Sequence, residues 1–249
     1  MQLSSSRTPG PPGAATVAPA DTRQRSNGAR RPLAWAVGLA ALIFAGNLFQ
    51  DRYLFWDSYL DLAAGRVVAH DGIPHREVFT VAASGDRWID QQWLAHLLTY
   101  ASWSIGGYPG VAIVSSAAVA MAFGLLTAML ITRGVHPQRA VLWALGAYAV
   151  CLGNTVVRAQ AVAYPLFALL LWGLIDDAHQ PRWRRRNLLV LPLLAVWANL
   201  HGSVLLAAML VAIASVIRAV IMRRRDESAV GYVVIAVLAP PAVLATPYG

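Results

Sequence analysis

Seven apolar stretches, parted by short polar connections, constrain this chain more than anything else in it. They run over 33–49, 111–132, 140–152, 161–175, 188–200, 203–221 and 230–245. The longer ones approach or exceed the roughly 20 apolar residues that carry a helix across a bilayer core. Inside hydrocarbon every backbone N–H and C=O must bond within its own segment, so such stretches fold as helices unless they close a barrel. The chain is 57% hydrophobic and 13% charged, where a water-soluble domain carries about a quarter charged residues. These features predict an all-α polytopic membrane protein with about seven transmembrane helices.

The cations then set an orientation. All 20 are arginine, and the formal net charge is +8. They cluster in the N-terminal tail (Arg7, Arg23, Arg25, Arg30, Arg31) and in three connections: Arg133 with Arg139, Arg182 with Arg184 to Arg186, and Arg223 to Arg225. Those are the segments that share one side if the tail is cytoplasmic, as the positive-inside rule requires. A basic surface of this kind is an orientation signal with anionic-lipid contact, and its scatter between spans argues against a nucleic-acid partner. Residues 1–32, rich in Ser, Pro, Gly and Ala, read as a disordered basic tail. A signal peptide is the rival reading, but the 33–49 run is long for a signal core and lacks a small-residue cleavage pattern. Cys151 stands alone in an apolar run, so no intrachain disulfide is available.

The remaining connections fall on the other, outer side, and the first is the largest. Residues 51–90 hold seven of the twelve carboxylates. Tyr53 to Val68 has the three- and four-residue apolar steps of an interfacial helix. Asp71-Gly72 and Ser84-Gly85-Asp86 mark turns around short extended pieces, VFTVAA and RWID. Gln91 to Ser104 reads as a second helix on or entering the membrane, with Trp88, Trp93 and Trp103 suited to the interface. The same outer side receives Arg158 and Gln160, Asn199 and His201, and Tyr248. Ionisable groups at membrane depth are costly and mark sites, so these connections are expected to line one cavity.

Several short motifs lie along this side in a fixed order. WDSYLDLAAGR, DGIP and GDRWIDQQWL occupy the first outer loop; then come Arg158-Ala159-Gln160, Trp197-Ala198-Asn199-Leu200-His201-Gly202 and Thr246-Pro247-Tyr248-Gly249. In order and spacing they resemble an uncharacterised branch of bacterial multispanning proteins related to the GT-C glycosyltransferases, the superfamily of protein mannosyltransferases and aminoarabinose transferases. The resemblance covers about residues 33–249, with 51–109 as the first outer loop. The chain departs from that pattern at Asp61, where the branch has His, at Glu77 and Gln92, where it has Asp and Glu, and at Thr246, where it has Asn. Its relatives carry further spans, so the domain is expected to be incomplete at the C-terminus.

The resemblance implies a transferase in the bacterial inner membrane that uses a polyprenyl-phosphate-linked sugar at the outer face. It implies Asp57 as general base and His201 as its helper on the leaving phosphate, with Arg158 on the lipid phosphate and Gln160, Asp90, Trp93, Asn199 and Tyr248 as further substrate contacts. The chemistry suits the residue types: a carboxylate takes the acceptor proton, and a guanidinium fork fits a phosphate. Asp57 and Asp61 stand four apart on one helix face, a spacing that suits Mg²⁺ or Mn²⁺ and equally an ordinary solvated helix. Arg158 at a membrane boundary also suits snorkelling to headgroups. His70, His75 and His96 lack the spacing of a metal site. Two rivals stand beside the transferase: a lipid or solute transporter, which calls for inverted repeats the sequence lacks, and a non-catalytic membrane scaffold.

Overall fold

The computed structural model describes residues 22–51, 56–180 and 182–247. Eight α-helices follow one another: α1 (Thr22–Gln50), α2 (Trp56–Asp71), α3 (Trp93–Thr132), α4 (Pro137–Cys151), α5 (Tyr164–Ala178), α6 (Val190–Ala198), α7 (Val204–Arg224) and α8 (Val230–Ala242). Among the described residues there is no strand, and the extended pieces of the polar loop pair at a single bridge, Arg76 with Arg87. The first 21 residues of the expected tail, and Tyr248, lie outside the described residues.

α3 is two helices in one. At Gly107 the backbone leaves helical geometry (φ 58°, ψ −151°), and Pro109 follows. A positive φ costs glycine little and other residues much. The two arms, 93–106 and 108–132, turn back on one another there. Leu98, Thr99 and Ser102 line the same small cavity as Val111, Val114 and Ser115, although a straight helix would hold Thr99 and Ser115 about 24 Å apart. A Cβ on Gly110 would lie 2.3 Å from the Ser102 carbonyl oxygen, so the arms touch backbone to backbone. The separate loop helix and second span read from the sequence are these two arms.

Two alanine-rich cores hold the bundle. Leu39 and Ile43 of α1 pack with Val119, Ala120 and Phe123 of α3, Ala144 of α4 and Ala161. Leu170 of α5, Leu194 and Trp197 of α6, Val204 to Val211 of α7, and Ile235 and Ala239 of α8 form the other. Small residues let helix backbones approach closely, which is how helices associate where burying apolar surface gains nothing against lipid. Large apolar side chains such as Val37, Leu42, Trp143, Val150 and Leu205 remain outside, forming the surface that acyl chains would cover.

Four helical stretches have the length and hydropathy to cross a membrane, where the sequence predicts seven: Pro32–Gln50, Trp93–Thr132, Ala159–Ala178 and Val204–Arg224. The third, fifth and seventh predicted spans fold as α4, α6 and α8, of 15, 9 and 13 residues. At 1.5 Å per residue these reach about 14 to 23 Å, short of the ~30 Å hydrocarbon core. Their ends explain the shortfall. α4 starts on Pro137 and runs into a 3₁₀ turn at Leu152–Asn154. α6 is preceded by the 3₁₀ turn Arg185–Leu189 and stops before Asn199. α8 carries Pro240 and Pro241 near its end.

The three short helices nonetheless join the two ends of the bundle. Arg133, just before α4, bonds the Ile175 carbonyl, while Leu152, just after it, accepts from Gln50. Ahead of α6, Arg186 pairs with Asp176; behind it, Asn199 bonds Trp93. Near the start of α8, Tyr232 meets Asp177, and past its end Ala245 accepts from Asn199. Among the described residues, the segments flanking the short helices thus bond at both the acidic-loop end and the arginine-rich end.

Candidate functional site

At the acidic-loop end α2 lies against the first arm of α3. Gly65 makes this possible: a Cβ there would sit 2.1 Å from the His96 carbonyl oxygen and 2.7 Å from Tyr100 Cβ. One turn away, Asp61 faces His96, with Oδ1 3.2 Å from Nε2. Asp90, in the segment leading into α3, approaches the other ring nitrogen, Oδ2 to Nδ1 at 2.6 Å, and its Oδ1 accepts the Gln92 N–H at 3.0 Å. All three side chains are buried. Two carboxylates on one imidazole ask both ring nitrogens to donate, which a neutral ring cannot do; the cluster therefore holds a proton as imidazolium or on a carboxyl. Asp61 Oδ2 is buried and takes no hydrogen bond from the described residues.

One turn before Asp61, Asp57 meets Arg158 across 101 positions of sequence. Arg158 Nε donates to Asp57 Oδ2 at 2.7 Å, and Nη2 bonds the same oxygen. The neighbouring Ser58 hydroxyl donates to the Val157 carbonyl at 2.6 Å, so α2 is tied to the strand-like approach to residue 159 at two successive positions. The ion pair itself is open to solvent: the Arg158 side chain is 40% exposed and that of Asp57 51%.

Behind this pair Asp51 closes a buried network. Asn47 Nδ2 donates to Asp51 Oδ2 at 3.1 Å and to the Thr155 carbonyl at 2.8 Å. Ser116 donates to Asp51 at 3.2 Å, and the Tyr148 hydroxyl to Asn47 Oδ1 at 3.1 Å. Burial pushes the Asp51 carboxyl up to about 6, against the hydrogen bonds from Ser116 and Asn47 that favour its charge.

Asn199 is the hub on the far side. Its Oδ1 accepts Trp93 Nε1–H at 2.7 Å, and its amide nitrogen donates to the carbonyls of Ala195 and Ala245 at 2.8 and 2.6 Å. His201 follows two residues on. Its Nδ1 accepts the Ser203 N–H at 3.1 Å and lies 2.9 Å from the Ser203 hydroxyl, which itself accepts from Trp197 Nε1. Nδ1 as acceptor fixes the proton on Nε2. Burial lowers the His201 pKa below the usual histidine value, and the charges of Asp61 and Arg158 act on it in opposite directions.

The first loop, Arg158, Asn199, His201 and the segment after α8 thus gather at one end. Their roles differ from residue to residue. Asp57, Arg158 and His201 keep polar atoms available. Asp90, Trp93 and Asn199 spend their hydrogen bonds on holding the elements together. Gln160 donates to Asn154 O at 3.2 Å and Tyr164 OH at 3.0 Å. Asp57 and Asp61 turn to different partners, a guanidinium and an imidazole, and among the described residues no three His, Cys, Asp or Glu are grouped to hold a metal ion.

His96 was not singled out by sequence, because its two carboxylate partners lie 35 and 6 residues away and form no motif. A second missed group sits at the arginine-rich end. Arg218, buried inside α7, donates to Asp177 Oδ2 at 3.1 Å, to the Gln180 carbonyl at 2.8 Å and to Tyr232 OH at 3.1 Å. Tyr232 in turn donates to Asp177 Oδ1 at 2.7 Å. The signal was available: a single charge inside an otherwise apolar run.

The chain matches no family model, no curated protein and no solved structure.

Proposed function

We propose that the acidic-loop end is the active site of a glycosyltransferase that takes its sugar from a polyprenyl phosphate. The observation that carries the reading is the exposed Asp57–Arg158 pair with His201 in electrostatic reach. A guanidinium fork accepts a phosphate as readily as a carboxylate. A donor phosphate competing for Arg158 releases Asp57 from its partner. The free carboxylate then takes the proton of the acceptor hydroxyl as its oxygen bonds the anomeric carbon. The bond from that carbon to the phosphate oxygen breaks, and its electron pair leaves on polyprenyl phosphate, with inversion. The Nε2–H of His201 donates a hydrogen bond to that departing phosphate.

In this reading the acidic-loop end faces outward from a bacterial inner membrane and the tail is cytoplasmic. α4, α6 and α8 complete the crossings with help from their flanking turns, so that residues 133–139, 182–186 and 223–225 lie on the inner face. The resemblance of the loop motifs to GT-C proteins supports the choice of donor.

A scaffold is the second reading, and the adjacent Ser58–Val157 bond favours it, since the two contacts together act as a clamp. Transfer of radiolabelled sugar from polyprenyl phosphate, assayed in membranes, separates the two. Asp57→Asn is expected to abolish transfer while the protein still inserts and accumulates. Full turnover by Asp57→Asn rules out Asp57 as base, and no transfer by the unaltered protein with any lipid-linked sugar leaves the clamp.

A further inference from the structure

A cavity lies at the opposite end from the proposed active site. A groove of about 550 Å³ opens between α5, α6 and α7. Its walls are apolar, with Leu169, Trp172, Leu193 and Ile217 among them, and one end is polar, formed by Asp176, Asp177, Arg186, Asn187 and Arg218. Along α5 it runs from Leu169 to Ala178, and along α7 from Val211 to Ile221. At 1.5 Å per residue these are about 14 and 15 Å. That is half of the ~30 Å hydrocarbon core, the depth of one leaflet.

The polar end explains which occupant fits. Arg218 and Asp177 neutralise one another, and Asn187 donates to Asp177 Oδ1 at 2.5 Å, so the buried floor has no charge to spare. The rim has a surplus. Trp183 packs edge-on against Tyr232, a residue of the groove lining, ring centroids 4.9 Å apart, and so holds the 182–186 segment beside the polar end. Arg182, Arg184 and Arg185 are exposed there and enter no ion pair among the described residues. An apolar slot one leaflet deep, with three unneutralised guanidinium groups on the segment beside its polar end, complements a membrane lipid with an anionic phosphate head.

We infer that this groove is a binding site for one anionic phospholipid of the leaflet at the arginine-rich end. One acyl chain lies between α5 and α7, and the headgroup meets Arg182, Arg184 and Arg185. The site is independent of the proposed transferase chemistry, which lies at the other end.

The test uses the intact protein reconstituted in vesicles of equal parts phosphatidylglycerol and phosphatidylcholine, then released in mild detergent for native mass spectrometry. One retained phosphatidylglycerol is expected, preferred over phosphatidylcholine by about a hundredfold, since each of the three arginines contributes about fivefold near an anionic surface. Gly173 lines the groove, and a Cβ on it meets nothing within 4 Å. Gly173→Leu therefore fills the slot without a clash and is expected to lose the retained lipid while melting at the same temperature. Ile217→Trp, from the α7 wall, gives a second occlusion should the first variant fold poorly. Replacing Arg182, Arg184 and Arg185 with Gln is expected to leave a lipid bound but erase its preference. Equal retention of the two lipids by the unaltered protein, or undiminished retention in both filled variants, overturns the inference.

Discussion

The two ends of the bundle each gather acids and bases, and they handle them in opposite ways. At the arginine-rich end Asp177 receives Arg218, Tyr232 and Asn187, and Arg218 is used on three sides. At the acidic-loop end Asp61 Oδ2 has no partner among the described residues, Asp57 and Arg158 face solvent, and His201 keeps an Nε2–H in reserve. A saturated cluster in a low-dielectric interior rigidifies, and breaking it is costly. Groups left unspent cost stability and are what a site needs. The first cluster therefore belongs to the fold, and the second is the candidate for function.

Breaking the saturated cluster should have the largest effect. Arg218→Met strands the Asp177 carboxylate in apolar surroundings, and removing one partner of a buried pair costs about 3–5 kcal/mol. Unfolding of the detergent-solubilised protein is expected to shift by that amount, and an unchanged melt would move this cluster into the same class as the exposed pair. Next is Gly65→Ala. The added methyl meets backbone at 2.1 Å, so the helices must part, at about 2–3 kcal/mol. The same variant is expected to lose the Asp61–His96 contact, visible as a changed imidazole resonance of His96.

Asp51 gives an intermediate effect that depends on pH. Its folded-state pKa, about 6, lies above the ordinary carboxyl value of 3.8, so the native state holds the proton more tightly than the unfolded one. The stability this brings is complete below about pH 3.8 and is lost as pH rises through about 6. Asp51→Asn keeps an acceptor and removes the charge. Its gain over the unaltered protein should be small near pH 4 and reach about 3 kcal/mol above pH 7; equal gains at both pH values would show that the carboxyl is ionised throughout. Smallest of all is Arg158→Gln, because an exposed ion pair contributes at most about 1 kcal/mol. A nearly unchanged melt with lost sugar transfer would sharpen the contrast, while a loss of several kcal/mol would make this pair a structural clamp like the other.

Much of the frame could be read from residue patterns. Hydropathy located α1, the second arm of α3, α5 and α7, and the apolar run from Val111 stood apart from the helix read over Gln91 to Ser104. Helix lengths were harder, because the ends of α4, α6 and α8 are set by turn geometry at Leu152–Asn154 and Arg185–Leu189 rather than by where apolar residues stop. Asp57 and Arg158 were each legible as chemistry-bearing groups, but not as partners, since nothing local reports a contact across 101 positions. The His96 cluster was hidden for the same reason. Arg218 was legible as an anomaly, and only packing shows that Asp177 and Tyr232 account for it.

Gly65 gives the acidic-loop end an unusual vulnerability. No titratable atom belongs to it, yet the missing Cβ sets how near α2 comes to the His96 backbone, and hence the reach between Asp61 and His96. It works as a ruler made of empty space. A search for the residues that tune this contact would naturally scan acids and bases, and would pass over a position where a single methyl group parts Asp61 from His96.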